Sequence, residues 1–126
     1  MATRILVVDD DADIRELLRL HLSSAGYDVQ VAEDAIAAGY LVLQGAPDLI
    51  ITDVNMPHMD GFEFIAVLKA DASIPSIPVI FLTSNEDGDL RGKDLGAVGY
   101  LLKPVRAERL LGMVARHVSG GKFSLD

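Results

Sequence analysis

Cysteine is absent from this chain of 126 residues. That excludes disulfides, thiol nucleophiles and thiolate metal sites, and is compatible with a cytoplasmic location. Long apolar runs are absent too: none approaches the roughly 20 residues a membrane-spanning helix needs. The first residues lead straight into a strand pattern, so no secretion signal is expected. Positive charge is scarce. Eleven Lys and Arg stand against nineteen Asp and Glu, for a net charge of −8. An electrostatic footprint for nucleic acid is therefore not expected of this chain alone. Linkers, repeats and low-complexity segments are also missing. The length suits one domain, read as residues 1–118 with a frayed tail at 119–126.

Half of the residues are apolar and 24% are charged, which is ordinary for a globular domain. Strand and helix signals alternate without interruption. Short apolar runs at 4–8, 27–32, 49–52, 79–82 and 99–102 read as strands. Helices are read at 13–25, 35–44, 61–70, 86–95 and 107–118. In the first helix Ile14, Leu17, Leu18, Leu22 and Ala25 recur at helical spacing, and Gly26 ends it. Asp60, with Glu63 three residues later, predicts a capping box at the third helix. The fourth helix is weakened by Gly88 and Gly92, each costing about 1 kcal/mol relative to Ala. In the last helix Leu110 and Val114 fit the core stripe, and Leu111 beside it is expected at the surface as a contact point or as marginal packing. Five βα units with strands this apolar predict an α/β domain, a parallel sheet covered by helices on both faces.

The strand ends carry the chemistry. Ile5-Leu6-Val7-Val8 runs into Asp9-Asp10-Asp11, and Leu49-Ile50-Ile51-Thr52 runs into Asp53. The later strands end in Thr83-Ser84 and Lys103-Pro104. Open α/β sheets hold ligands beyond the carboxyl ends of their strands. One crevice would then hold three carboxylates, a hydroxyl and an ammonium. Each has a use in phosphoryl transfer, which depends on positioning and charge neutralisation. A carboxylate can attack phosphorus and form an acyl phosphate. Mg²⁺ takes one or two carboxylates and keeps waters and phosphate oxygens as its other ligands.

With Val8-Asp9-Asp10, Asp53-Val54-Asn55-Met56-Pro57-His58-Met59-Asp60-Gly61, Thr83-Ser84 and Gly96-Ala97-Val98-Gly99-Tyr100-Leu101-Leu102-Lys103-Pro104 in that order, the chain resembles the receiver domain of two-component response regulators. It is most similar to the stand-alone, chemotaxis-regulator type. The resemblance implies a doubly wound, flavodoxin-like sheet of order 2-1-3-4-5. It implies that Asp53 accepts a phosphoryl group from a histidine kinase or phosphotransfer protein. Asp9, Asp10, Asp53 and the backbone carbonyl of Asn55 would form the Mg²⁺ site. Thr83 would bind the phosphoryl group, Lys103 would pair with it, and Tyr100 would change rotamer with Thr83. A downstream protein would dock on the fourth helix, fifth strand and fifth helix. The chain would be a monomer or a phosphorylation-dependent dimer, and the Lys103–Pro104 bond would be cis.

Plainer readings stand beside these. Asp11 and Asp13 suit a helix N-terminus, and Ser84 a helix cap. His21 reads as a packed side chain, His58 as an exposed bystander beside the acceptor, and His117 carries no site signal. Asn85, like Asn55, would flank the path of the attacking water. A variant of this reading makes the chain the N-terminal receiver of a longer regulator, cut after Val118. A phosphatase of the haloacid dehalogenase type fits the Asp9-Asp10-Asp11 pattern but lacks a cap domain. A flavodoxin-type electron carrier would need a phosphate-cradling loop where those acids stand.

Overall fold

The computed structural model describes residues 2–84 and 95–118. Asn85 and residues 86–94 of the predicted helix, which include Gly88 and Gly92, lie outside the described residues, as does the tail at 119–126. Five parallel strands form one sheet of order β2-β1-β3-β4-β5. They are β1 (Arg4–Val8), β2 (Asp28–Ala32), β3 (Leu49–Asp53), β4 (Val79–Thr83) and β5 (Ala97–Leu102). The described helices are α1 (Ala12–Ser24), α2 (Ala35–Gln44), α3 (Gly61–Ala70) and α4 (Ala107–His117).

The central strands are apolar throughout because both of their faces are covered. Successive side chains still alternate between faces. Leu6, Val8, Ile50, Val79 and Phe81 pack with Ala38 and Val42 of α2 and Phe62, Ile65 and Leu68 of α3. Ile5, Val7, Leu49, Ile51, Ile80, Leu82 and Leu101 pack with Leu18 and Leu22 of α1 and Leu110 and Val114 of α4. Two half-cores thus sandwich the sheet.

Helix starts follow local chemistry. The Asp11 carboxylate accepts from the backbone N–H groups of Asp13 and Ile14, and that of Asp34 from Ala37. Asp60 and Glu63 form the predicted capping box, with Glu63 N donating to Asp60 Oδ1 at 2.8 Å and Asp60 N to Glu63 Oε1 at 3.2 Å. These bonds satisfy donors that a helix end would otherwise leave unpaired.

Two readings are corrected, and Leu111, left open between contact point and marginal packing, takes the second. Leu17 fits the helical spacing but is 43% exposed, because the α1 stripe facing the sheet is carried by Leu18 and Leu22. Leu111 is half-buried against the α1–α4 core, so packing and not solvent contact describes it. β5 begins at Ala97, two residues before the predicted start. Ala97 pairs with Val79, and Gly99 with Ile80, so Val98 is an extra residue in an irregular register. The Met113 side chain of α4 packs over Gly99, where an added Cβ would lie 2.5 Å from its Sδ and would require that side chain to shift.

Two other glycines have open space around them. A Cβ at Gly39 in α2 or Gly112 in α4 would meet nothing within 4 Å. Glycine in a helix interior costs about 0.5–1 kcal/mol relative to Ala. Gly39→Ala and Gly112→Ala are each expected to raise stability by up to about 1 kcal/mol, read as a higher urea midpoint at unchanged slope.

Candidate functional site

The period-two alternation that builds the core also builds the site. Asp9 continues the parity of Ile5 and Val7, Asp53 that of Leu49 and Ile51, and Lys103 that of Leu101. The three side chains therefore leave the sheet on one side of adjacent or nearby strands and converge. Lys103 Nζ lies 3.0 Å from Asp9 Oδ2 and 3.1 Å from Asp53 Oδ2. Asp9 is fully buried and Asp53 is 5% exposed. Asp10 stands at the rim, exposed, and carboxylate oxygens of Asp9, Asp10 and Asp53 lie within 4.8 Å of one another.

Backbone bonds hold each member. The Asp9 N–H donates to Ala32 O at 3.1 Å, its Oδ1 accepts from the Asp11 N–H at 2.9 Å, and its carbonyl accepts from Arg15 Nη1 at 2.7 Å. The Lys103 N–H donates to Thr83 O at 2.8 Å, tying the end of β5 to that of β4. The Lys103–Pro104 bond is cis, as expected. Thr83 is half-buried and shares the face of Phe81, whose ring stacks on Tyr100 with centroids 5.9 Å apart. Asn55 is exposed, and its backbone N–H donates to the Asp53 carboxylate.

Electrostatics pull the two central groups in the same direction. Burial, and then the nearby Asp9 charge, push the Asp53 carboxyl above its ordinary value, against the lowering effect of Lys103 and the Asn55 N–H. Burial pulls the Lys103 ammonium down, but hydrogen bonds and charge from Asp9 and Asp53 outweigh it and hold the group above its ordinary value. Three carboxylates face one ammonium, so the crevice keeps an excess of negative charge. An all-oxygen set of this kind suits a hard divalent cation such as Mg²⁺.

Two features here escaped the sequence reading. Gly61 packs directly on the acceptor strand: a Cβ would lie 2.2 Å from Asp53 O, and its N–H donates to Val54 O at 2.8 Å. The Asp53 carbonyl also accepts from Thr52 Oγ1 at 3.0 Å. The Asp60-Gly61 pair was legible as a helix start, but not as a close approach to residue 53. His58 is exposed, as read, yet its φ is 72°, and Met59 N donates to Pro57 O at 2.8 Å. The chain reverses over three residues there, in a backbone region that side-chain-bearing residues rarely adopt.

Comparison with known proteins gives a consistent picture. Residues 5–115 match the family described as the response regulator receiver domain. The chain is 42% identical over 113 residues to the DNA-binding dual master transcriptional regulator RpaA of Synechocystis sp., a match covering 88% of this chain and 47% of that protein. It is equally 42% identical over 113 residues to the response regulator MprA of a Mycobacterium sp., covering 88% and 48%. The chain thus spans about half the length of these relatives. The chemotaxis response regulator CheY4 of Vibrio cholerae has a similar structure, with TM-score 0.88 and 35% identity over 94% of this chain and 100% of that one.

Two outcomes test the geometry. Gly61→Ala forces either the helix start or the Asp53 carbonyl to move and is expected to cost about 1–3 kcal/mol, seen as a lower urea midpoint. The raised Asp53 carboxyl makes stability fall as pH rises from the ordinary carboxylate value through the folded one, with the full penalty above it. In chelator at neutral pH, Asp53→Asn should therefore be more stable than the parent. That advantage should shrink as pH drops through the same window, followed by urea midpoints at each pH.

Proposed function

Because the chain belongs to the response regulator receiver domain family, we propose that it is a signalling switch thrown by phosphorylation of Asp53. Receivers are phosphoacceptor signalling domains and not classical enzymes. The observation that supports this assignment is the buried Asp53 carboxylate held at a strand end by Lys103 and facing two further acids. The phosphatase reading gains nothing from the family match.

In the proposed reaction an Asp53 carboxylate oxygen attacks phosphorus of a phosphohistidine on a histidine kinase or phosphotransfer protein. An O–P bond forms and the donor's N–P bond breaks, returning the electron pair to the imidazole. Lys103 orients Asp53 before attack and offers its ammonium to a phosphoryl oxygen afterwards. Thr83 stands at the end of the neighbouring strand, where its hydroxyl can donate to another. Asp9, Asp10 and Asp53, with the Asn55 carbonyl, would hold Mg²⁺, which when bound neutralises charge on the transferring group. The Asn55 N–H and the Asp11 N–H fix two of the carboxylates in place.

Thr83 and Tyr100 form the proposed relay. Tyr100 sits half-buried on Phe81, on the face that Thr83 shares. A shift of Thr83 toward the phosphoryl group would free space for Tyr100 and alter the surface formed by β5 and α4. A downstream protein preferring one arrangement would shift the population. The partner kinase, the downstream target, action in the cytoplasm and a phosphorylation-dependent dimer belong to this proposal. So does the domain span of 1–118.

Incubation with acetyl phosphate and Mg²⁺ should add one phosphoryl group to the parent, visible by intact mass and lost in Asp53→Asn, because an amide cannot form an acyl phosphate. Full labelling of that variant would overturn the acceptor assignment. A cation bound only by the folded state stabilises it by mass action. Millimolar Mg²⁺ should therefore raise Tm relative to chelator, and Asp10→Ala, at the exposed rim, should abolish the rise.

A further inference from the structure

Asp10 is the carboxylate of the crevice that stands in solvent, and its side chain makes no hydrogen bond or ion pair with a described residue. Its carboxylate still lies within 4.8 Å of those of Asp9 and Asp53. Something other than a side-chain contact must aim it there.

The backbone does so. Two peptide units meet at the Asp10 Cα, and each is held from outside. The unit between Asp9 and Asp10 carries the Asp9 carbonyl, which accepts from Arg15 Nη1 at 2.7 Å. The unit between Asp10 and Asp11 carries the Asp11 N–H, which donates to Asp9 Oδ1 at 2.9 Å. A peptide unit is planar, so a bond to its oxygen or its N–H restrains the whole plane. With both planes restrained, the Cα–Cβ direction of Asp10 is set before its carboxylate touches anything.

Arg15 is itself anchored. Its N–H donates to Asp11 O at 3.0 Å, Asp11 caps α1, and Leu18 and Leu22 seat that helix on the sheet. The half-buried guanidinium therefore reaches back six residues, from a fixed helix to a fixed strand end. Asp10, Asp11 and Asp13 are close in sequence, yet Arg15 forms no ion pair with a described residue. Its donor is committed to a neutral carbonyl, where it fixes direction.

We propose that Arg15 is a positioning residue for the divalent-cation site, its bond to the Asp9 carbonyl aiming Asp10 into the crevice. The inference rests on the reading of Asp10 as part of the Mg²⁺ site. Groups that orient metal ligands without touching the metal typically govern roughly 10–100-fold in metal affinity. The sign of the effect is diagnostic. Through charge alone, a guanidinium beside the ligands repels a cation, and its removal tightens binding. Through orientation, its removal loosens binding.

Arg15→Met keeps an unbranched stem and removes the charge and the donors. Arg15→Lys keeps a charge and a donor. Mg²⁺ is titrated into the isotope-labelled full chain and its Kd read from amide shifts, with Asp10→Ala as the control for the site. Arg15→Met should bind Mg²⁺ about ten-fold or more weakly than the parent, and Arg15→Lys should recover part of the loss. A second measurement needs no metal. In chelator, the Asp10 amide order parameter should fall in Arg15→Met below the roughly 0.85 of rigid backbone, and the fall should be smaller in Arg15→Lys. Unchanged or tighter Mg²⁺ binding by Arg15→Met, with Asp10→Ala defective, would overturn the inference and leave the metal site standing. So would an unchanged order parameter at Asp10. Parental Mg²⁺ affinity in Asp10→Ala would overturn the metal-site reading, and this inference with it.

Discussion

The Lys103 ammonium, 3.0 Å from Asp9 and 3.1 Å from Asp53, is the interaction on which the rest of the site depends. Two carboxylates buried side by side repel, and burial itself disfavours their charged forms. One shared ammonium offsets part of that cost while leaving negative charge in excess. The surplus makes the crevice receptive to a divalent cation and, with it, to a phosphoryl group. The pairing also demands that the Lys103 side chain reach from the end of β5 across β4 to the ends of β3 and β1, a span set by the strand order β2-β1-β3-β4-β5.

That demand explains the stiffness around Asp53. Its carbonyl is held by the Thr52 hydroxyl and lies against Gly61, and its carboxylate by Lys103 and the Asn55 N–H. The loop beyond it turns through His58 at positive φ. Strain of this kind, of order 1–3 kcal/mol, persists only where the surroundings enforce it. Here those surroundings are the cap of α3 on one side and the acceptor strand on the other.

Most of the fold was legible because periodicity reports burial directly. The bounds of β1, α2 and α3 agree with the reading residue for residue, and the Asp60–Glu63 capping box was foreseen from two letters. Local signals sufficed wherever a neighbour in sequence was also the partner in space. They failed at Ala97 and Val98, where the added strand residues are set by pairing with Val79 and by an irregular register. They failed at Leu17 as well: helical spacing admits it, but the line of contact with the sheet runs through Leu18 and Leu22. The candidate site was legible for a different reason. Acids, a hydroxyl and a lysine each stood at the carboxyl end of an apolar run, and parallel strands bring such ends to one edge.

By itself, then, the sequence determined the succession of strands and helices, the caps, and which side chains would reach the crevice edge. Alternation and helical spacing are local properties that no tertiary contact needs to supply. Only the tertiary structure decided that one lysine bridges two particular carboxylates, that Asp10 stands at the rim while Asp9 is sealed, and that Gly61 must lack a side chain. These are distances between residues far apart in the chain, and strand order and register set them, not local propensity.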